Sequence, residues 1–519
     1  MQTAQKKILN AEQARAKLAE MALQPGNTGL TFGHFNVVHP GHLRFLHHAR
    51  ENCDRLVVAI MSQEQLEEGQ KGRFFSAGER ALGVAALQAV DQVVVLEGIT
   101  LVEVIDALKP NSFVLGKEFE EERREETEAY LEAVERNGGK ISYSSGDVSY
   151  SSSDMLFQQP EDIHHEKIRE FKEVCRRAGI DLSRLGELID RFTDQRLLVL
   201  GDTIVDQYIA CDALGMSQEA PVLVVRELDA KEFVGGAGIV ACHVQTLGAN
   251  CHYLSVIGQD EKGRLIQRFM DDFKVGCTLL EDSSRPTTFK IRYMVENQKL
   301  LRVSRLLEHS ISKKLEKQVL EKIASMAPEL DGIVVSDFVY GVITDSLLEG
   351  LGKIAQEHGI KLFGDLQCSS QVGNVAKFQN YHLITPTERE ARIALSDQES
   401  GLEKLARRML AATHSSNLLI TLGAAGFIAY QGLSGEPGKY ASQHFPALNQ
   451  TALDVAGAGD TLLATMAISQ CAGANLLESA ALGACTAAIA VGRVGNIPIT
   501  AVELKAYLGN LLKQMQAEP

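Results

Sequence analysis

Short apolar runs that close on a glycine or a polar turn recur along most of the chain, separated by stretches of helical length. This rhythm constrains the fold more than any other feature. Between residues 28 and 115 the runs are TGLTF, RLVVAIM, QVVVLEG and SFVLG. From Arg196 the pattern restarts with RLLVLGD and continues through NCHYLSVIG, DGIVVSD, IKLFGDL, YHLITP and NLLITLG. Near-continuous apolar strands alternating with helices belong to parallel sheets covered on both faces. The predicted fold class is α/β, as two doubly wound parallel-sheet domains. At 519 residues the chain exceeds the roughly 150-residue prior for one domain about three and a half times, which agrees with more than one core.

The two series are separated by a change in composition. EFEEERREETEAYLEAVER, from Glu118 to Arg136, reads as the solvated face of a helix with Glu–Arg pairs. A Ser-rich stretch, ISYSSGDVSYSSSDM, ends the first unit. Residues 158–190 are polar and helical, and are expected to form a linker with the opening helix of a second domain. The expected division is 1–157, a helical linker at 158–190, and 191–519. No tandem repeat is present.

Charge and cysteine usage narrow the function classes. Fifty-two basic against 67 acidic residues leave a net charge of −15, a field that repels nucleic-acid backbones and anionic lipid. Any phosphate ligand must then be held by local donors. The nine cysteines are scattered with no CxxC spacing, so they read as reduced packing residues of a cytoplasmic protein. The first 21 residues form a polar amphipathic pattern, and no run reaches the ~18 apolar residues of a membrane span. The expectation is a soluble protein with no nucleic-acid or membrane partner.

TFGHFNVVHPGH, residues 31–42, carries the first chemistry. A strand ends near Phe32, Gly33 allows a tight turn, and Pro40-Gly41 opens a helix. His39 and His42 are thereby placed near a helix N-terminus, where unpaired N–H groups favour phosphate. Imidazoles there can donate to phosphate oxygens as charge builds in an in-line displacement. A metal site built from His34, His39, His42, His47 and His48 is the weaker alternative, because no acidic or Cys partner accompanies them.

These residues resemble the GxFDxxHxGH motif of the nucleotidylyltransferase superfamily, whose members are Rossmann-like. The resemblance runs from about residue 8 to 157. It extends to Lys71-Gly72-Arg73, Glu79-Arg80, Val90-Asp91 and the serine cluster Ser151-Ser152-Ser153-Asp154. It implies that His39 and His42 are catalytic, and that Gly33, Lys71, Ser152 and Ser153 bind the nucleotide, ATP or CTP. The implied reaction is attack of a phosphate or sugar-1-phosphate on the α-phosphorus, with release of pyrophosphate. The chain departs from the pattern at Asn36, where the family has Asp, at His34, and at Gly116-Lys117-Glu118. These departures bear on the acceptor more than on the chemistry.

TALDVAGAGD, residues 451–460, carries the second. Gly457, Ala458 and Gly459 let backbone N–H groups at a helix start face a phosphoryl group without side-chain obstruction. Asp460 then stands where it can take the proton of an attacking hydroxyl, a contribution of roughly 10²–10⁴ in rate. With GDTIVDQY (201–208), GGAG (235–238), TTFKIR (287–292), VSDFVYG (335–341), TPTERE (385–390) and TLGAAG (421–426), this half resembles the ribokinase-like carbohydrate kinases. Its nearest branch is the heptose-7-phosphate kinases.

That resemblance implies that Asp206, Gly235, Gly236, Lys290 and Arg292 bind the sugar. It also implies that Thr421, Gly423, Gly426, Gly457, Ala458 and Gly459 bind ATP, and that Glu390 organises Mg²⁺ through water. Strands around 222–234 and 287–304 would form a small β-lid. Ile239, Tyr340, Gln367, Thr387 and Ser304 depart from the branch, and Ile239 replaces an Asn that would bind a sugar hydroxyl. Together the halves resemble the bifunctional heptose kinase/adenylyltransferase family with the domain order reversed. Such a chain would act on sugars or sugar phosphates, and would form a homo-oligomer, a dimer, through the lid.

Overall fold

The computed structural model describes residues 2–517 except 37, 39, 52, 66–74, 117–124, 145–159, 297, 369–371, 399, 433–439 and 450–452. The predicted positions His39, Lys71, Ser152 and Ser153 lie outside the described residues. The chain divides into two compact units, Met1–Ile163 with Asp397–Ala406, and His164–Ser396 with Arg407–Pro519.

The first unit is built on six strands: β1 (Ile8–Leu9), β2 (Thr28–Gly33), β3 (Arg55–Ile60), β4 (Gln92–Val95), β5 (Ser112–Gly116) and β6 (Lys140–Ser144). They pair, all parallel, in the order β1-β4-β3-β2-β5-β6. Alternate side chains of β3 feed opposite cores. Val57 and Ala59 join one apolar cluster, while Leu56, Val58 and Ile60 join the other. That alternation is the two-residue period of a strand buried on both faces. The strand order reverses at β2, whose neighbours are β3 and β5. A crevice at the carboxyl end of β2 is therefore where a ligand belongs, and the HPGH residues follow directly.

The second unit contains β7 (Arg196–Gly201), β8 (Thr203–Met216), β9 (Leu223–Gly236), β10 (Asn250–Gly258), β11 (Gly276–Asp282), β12 (Thr288–Val295) and β13 (Gln298–Arg305). It continues with β14 (Gly332–Asp337), β15 (Lys361–Leu366), β16 (Leu383–Ile384), β17 (Asn417–Thr421), β18 (Phe427–Gly432) and β19 (Tyr440–Phe445). Nine of these form one sheet, β11-β10-β7-β14-β15-β16-β17-β18-β19, parallel as far as β17. The carboxyl ends of β7, β14, β15, β16 and β17 consequently share one edge. Order reverses between β7 and β14, where Gly201 lies so close to the Ser336 carbonyl that no Cβ fits.

The remaining four strands form a second sheet, β13-β12-β8-β9. β9, β12 and β13 fall where the lid was expected. β8 was not foreseen as a strand, because its first residues read as a ligand motif; it is a 14-residue strand that runs from the main sheet into the lid. The 158–190 segment also differs from a linker. Ile168, Phe171, Val174, Leu185, Leu188 and Ile189 are buried in the main core of the second unit, against residues such as Phe445 and Leu504. Its two helices, Pro160–Arg177 and Leu182–Asp190, are amphipathic, and their apolar stripes need the sheet-covering layer as partner.

Candidate active sites

In the first unit, Phe35 takes a left-handed conformation (φ 44°) just after β2. Its ring centroid lies 4.9 Å from that of His42, near the start of the Pro40–Glu51 helix. A Cβ at Gly33 would stand 3.0 Å from the same ring, so Gly33 and His42 both border Phe35. Asn36 is buried and its Oδ1 accepts the Phe75 N–H at 2.8 Å. The neutral amide thus ties down the chain ahead of the Ala77–Ala85 helix, whose N-terminus carries a Ser76–Glu79 capping box.

Arg80, in that helix, is 2% exposed. Its guanidinium donates to three carbonyls: His34 O at 2.6 Å, Met61 O at 2.8 Å and Phe75 O at 3.0 Å. Burial lowers its pKa from the usual guanidinium value, which still leaves a permanent cation beside the end of β2. A fixed positive charge, a helix N-terminus and an imidazole together suit an anionic phosphate chain.

In the second unit, Gly457 caps the Ala458–Cys471 helix with φ 79°, a conformation that favours glycine. Asp460 lies in the first turn, buried, with Oδ1 accepting from Gln367 Nε2 at 2.8 Å. Burial, reinforced by the negative charge of Asp206 and opposed by Gln367 and Lys290, pushes its pKa up to about 7. The turn has its own support. Thr461 Oγ1 donates to Gly457 O at 2.8 Å and lies 2.9 Å from His243 Nε2. His243 Nδ1 accepts the Ile499 N–H at 3.2 Å, and burial pushes this imidazole down to about 3, so it is neutral with the proton on Nε2.

Ahead of that turn, Asp454 gathers four donors. Ala456 N–H and Lys299 Nζ reach Oδ1 at 3.1 and 3.0 Å, while the Tyr208 hydroxyl and Gly495 N–H reach Oδ2 at 3.1 and 3.3 Å. Burial alone would raise its pKa, but Lys299 and the N–H donors hold it below the ordinary carboxylate range. Tyr208 and Lys299 belong to β8 and β13, so two strands of the lid sheet end on this one carboxylate.

The predicted sugar ligands converge. Asp206 accepts from Arg292 at Oδ1 and from Asn496 Nδ2 at 3.1 Å on Oδ2. Gly235, on β9, must lack a side chain because a Cβ would collide with Asp206 Oδ2. Gly236 caps the Ala237–Thr246 helix beside it, with φ 61°. Lys290 is the register partner of Asp206 across β12 and β8. Its ammonium lies 5.1 and 5.3 Å from the ring centroids of Tyr340 and Phe338. Those rings are set by Asp202, which accepts the N–H groups of Phe338, Tyr340 and Val342.

Among the residues expected to bind the nucleotide, Thr421 ends β17 and bridges to Thr387. Gly423 and Gly426, both at positive φ, shape the turn that follows. Thr387 and Glu390 form the capping box of the Glu388–Leu395 helix, and Glu390 Oε1 also accepts the Cys368 N–H at 2.8 Å. Burial first, then the charges of Glu390 and Asp460, raise the Asp365 carboxyl well above its ordinary value. These hard oxygen donors suit magnesium, yet among the described residues no three His, Cys, Asp or Glu side chains converge on a metal position. They fit an ion that keeps its water shell.

Asp454, His243 and Asn496 are among the participants not anticipated as site residues. Asp454 stands within the quoted stretch 451–460 but carried no expected role. His243 and Asn496 come from segments with no motif. Ile239, which stands where the family pattern has Asn, is fully buried in the core.

Comparison with known proteins matches this geometry. Residues 194–501 match the family model of pfkB family carbohydrate kinases, and residues 30–179 match that of cytidylyltransferase-like proteins. A bifunctional protein HldE from Citrifermentans bemidjiense is 31% identical over 334 residues, covering 63% of this chain and 66% of that protein. Its counterpart from Desulfatibacillum aliphaticivorans is 32% identical over 325 residues, covering 62% and 64%. The match thus spans just under two thirds of the relatives' length. Among solved structures, phosphofructokinase-2 from Escherichia coli superposes with a TM-score of 0.51 at 15% identity, over 61% of this chain and 99% of that one. At that identity the likeness establishes the fold.

The raised pKa of Asp460 has a stability consequence. A carboxyl whose folded pKa exceeds its unfolded value supports folding below the unfolded pKa, near 4, and loses that support as pH rises through about 7. Asp460→Asn should therefore raise the thermal midpoint of the second unit at pH 8 and leave it nearly unchanged at pH 4. Scanning calorimetry at both values checks this, and an equal shift at the two would contradict it.

Proposed function

The chain belongs to the pfkB carbohydrate kinase family, and we propose that its second unit transfers the γ-phosphoryl group of ATP to a hydroxyl of a sugar or sugar phosphate. We propose further that the first unit, cytidylyltransferase-like in sequence, couples a sugar-1-phosphate to a nucleoside triphosphate, ATP or CTP, and releases pyrophosphate. The pair of activities would serve the making of a nucleotide-activated heptose. The observation that carries the reading is Asp460: a buried carboxylate with a pKa near 7, at the tip of a helix that opens with Gly457, Ala458 and Gly459, and within electrostatic reach of Asp206 and Lys290.

In the kinase reaction the acceptor hydroxyl is held on the Asp206 side, where Arg292 and Lys290 bring positive charge and Gly235 leaves room. As the hydroxyl oxygen attacks the γ-phosphorus, its proton passes to Asp460, and the bond to the ADP oxygen breaks. N–H groups at the start of the Ala458–Cys471 helix face the charge that builds on the phosphoryl oxygens. Thr421, Gly423 and Gly426 border the nucleotide. Glu390 and Asp365 would hold magnesium through water, and the ion would supply charge neutralisation of the nucleotide phosphates. Lys290, whose ammonium lies 5.1 Å from the centroid of the Tyr340 ring, brings a cation to the place where Tyr340 departs from the branch. In the transferase reaction His42 and His39 donate to the α-phosphate, Arg80 supplies the standing positive charge, and Gly33, Lys71, Ser152 and Ser153 hold the nucleotide.

No helix among the described residues is long and apolar enough to cross a membrane. The nine free cysteines accord with a cytoplasmic setting. The lid sheet leaves Met216, Leu228 and Leu301 more than half exposed, an apolar surface that supports pairing with a second copy through the lid.

Each site is tested separately. Asp460→Asn should abolish ADP formation from ATP and sugar and leave pyrophosphate release from nucleotide and sugar-1-phosphate intact, with His42→Ala doing the converse. Loss of both activities in either variant would refute independent sites. With the wild-type chain, kcat/KM for ADP formation should climb about tenfold per pH unit below 7 and level off above it, as ionisation of Asp460 requires; a flat profile from pH 5 to 8 would remove its role as base. Light scattering should give twice the chain mass, falling to one chain mass in Leu301→Glu with the fold retained by circular dichroism.

A further inference from the structure

Asn496 lies in the loop after the Leu476–Val491 helix, a segment with no motif and no assigned role. The loop is nevertheless held at both ends. Gly495 donates its N–H to Asp454 and has φ 81°; a Cβ there would come within 2.8 Å of the Phe233 ring. Ile499 is gripped from the Ala237–Thr246 helix on both backbone groups: its N–H bonds His243 Nδ1 at 3.2 Å, and its carbonyl accepts from Thr246 Oγ1 at 2.7 Å. A loop anchored in this way gives its intervening side chain a defined place.

The amide orientation follows from its neighbours. Nδ2 donates to Asp206 Oδ2 at 3.1 Å and to Val234 O at 3.4 Å. Turning the amide over would set its oxygen against two acceptors, so the nitrogen must face Asp206. Oδ1 is thereby directed to Gly457, where a Cβ would approach it to 2.9 Å. That oxygen is buried and has no hydrogen-bond partner among the described residues. A buried acceptor left without a donor costs about 1–3 kcal/mol, and natural structures keep few of them. Here the unused oxygen lies between the Asp206 carboxylate and the turn that leads to Asp460.

We propose that Asn496 is a specificity-determining residue, whose Oδ1 accepts a hydrogen bond from a hydroxyl of the phosphoryl acceptor while its amide nitrogen keeps Asp206 oriented toward the same molecule. The acceptor is then a polyol or sugar with at least one hydroxyl besides the one that is phosphorylated. This takes the sugar-hydroxyl role expected at position 239, and it rests on the kinase reading above. Sites that pair a hydroxyl reject analogues lacking it, because the protein partner is left unpaired.

The test begins with the wild-type chain, ATP and a panel of ribose, fructose, mannose, fructose 6-phosphate and sedoheptulose 7-phosphate, read by ADP formation. The best acceptor is compared with its monodeoxy analogues. One analogue should lose roughly 10–100-fold in kcat/KM, the size of one buried hydrogen bond. In Asn496→Ala the parent acceptor should weaken by a similar factor with the KM for ATP within about twofold, and the parent and that analogue should become equivalent. A wild type that accepts every deoxy analogue equally, or an Asn496→Ala that still discriminates as the wild type does, overturns the assignment. The wild-type comparison needs no variant to fold. Absence of ADP formation with every acceptor would instead overturn the kinase reading, and this inference with it.

Discussion

A carboxylate held out of water beside a second carboxylate is the interaction on which the kinase half depends. Asp460 is 5% exposed, and Asp206 adds to the penalty of ionising it. Left alone, such a group would stay protonated at neutral pH and could not act as a base. Gln367 and Lys290 draw it back to a pKa near 7, where it is partly ionised at neutral pH. Much of the surrounding polar structure serves this balance. Thr461 and His243 fix the turn, and Asp454 fixes the chain that leads into it. The instability that results is localised at the reacting position, as strain at working sites commonly is.

The first unit, cytidylyltransferase-like in sequence, solves a different problem with a different charge. Its anchor is Arg80, a buried cation with three carbonyls around it. Guanidinium cannot neutralise itself by losing a proton, so the carbonyls satisfy its donors without cancelling its charge. The molecule as a whole is acidic, yet each unit places cationic and N–H groups at the end of a sheet where strand order reverses. The overall field therefore says little about either ligand, and the local donors decide.

Much of this was legible in the sequence, for identifiable reasons. Strands buried on both faces leave continuous apolar runs, so β2, β3, β7, β14 and β17 stand out, and their Gly or polar ends point to the ligand edge. The GAGD turn is equally visible, because only small residues permit the Gly457 conformation and the close backbone approach. What sequence concealed depends on contacts far along the chain. β8 looked like a ligand motif because Asp206 interrupts its apolar pattern. The 158–190 helices looked like a linker because their exposed faces are strongly polar, although Phe171 and Leu188 carry buried faces. Asn496 had no local signal at all; its partners lie 290 and 262 residues away. Ile239 is the reverse case: its departure from the family pattern is plain in the sequence, whereas its full burial in the core is visible only in the fold.

The double attachment of the lid strands to Asp454 carries one more consequence. Were that small sheet to swing outward, the Tyr208 hydroxyl and the Lys299 ammonium would depart together, and a sunken negative charge next to the phosphoryl cradle would lose two of its four donors. The carboxylate thus works as a latch: two strands of the small sheet share one buried charge, and neither can leave without stripping it of a donor.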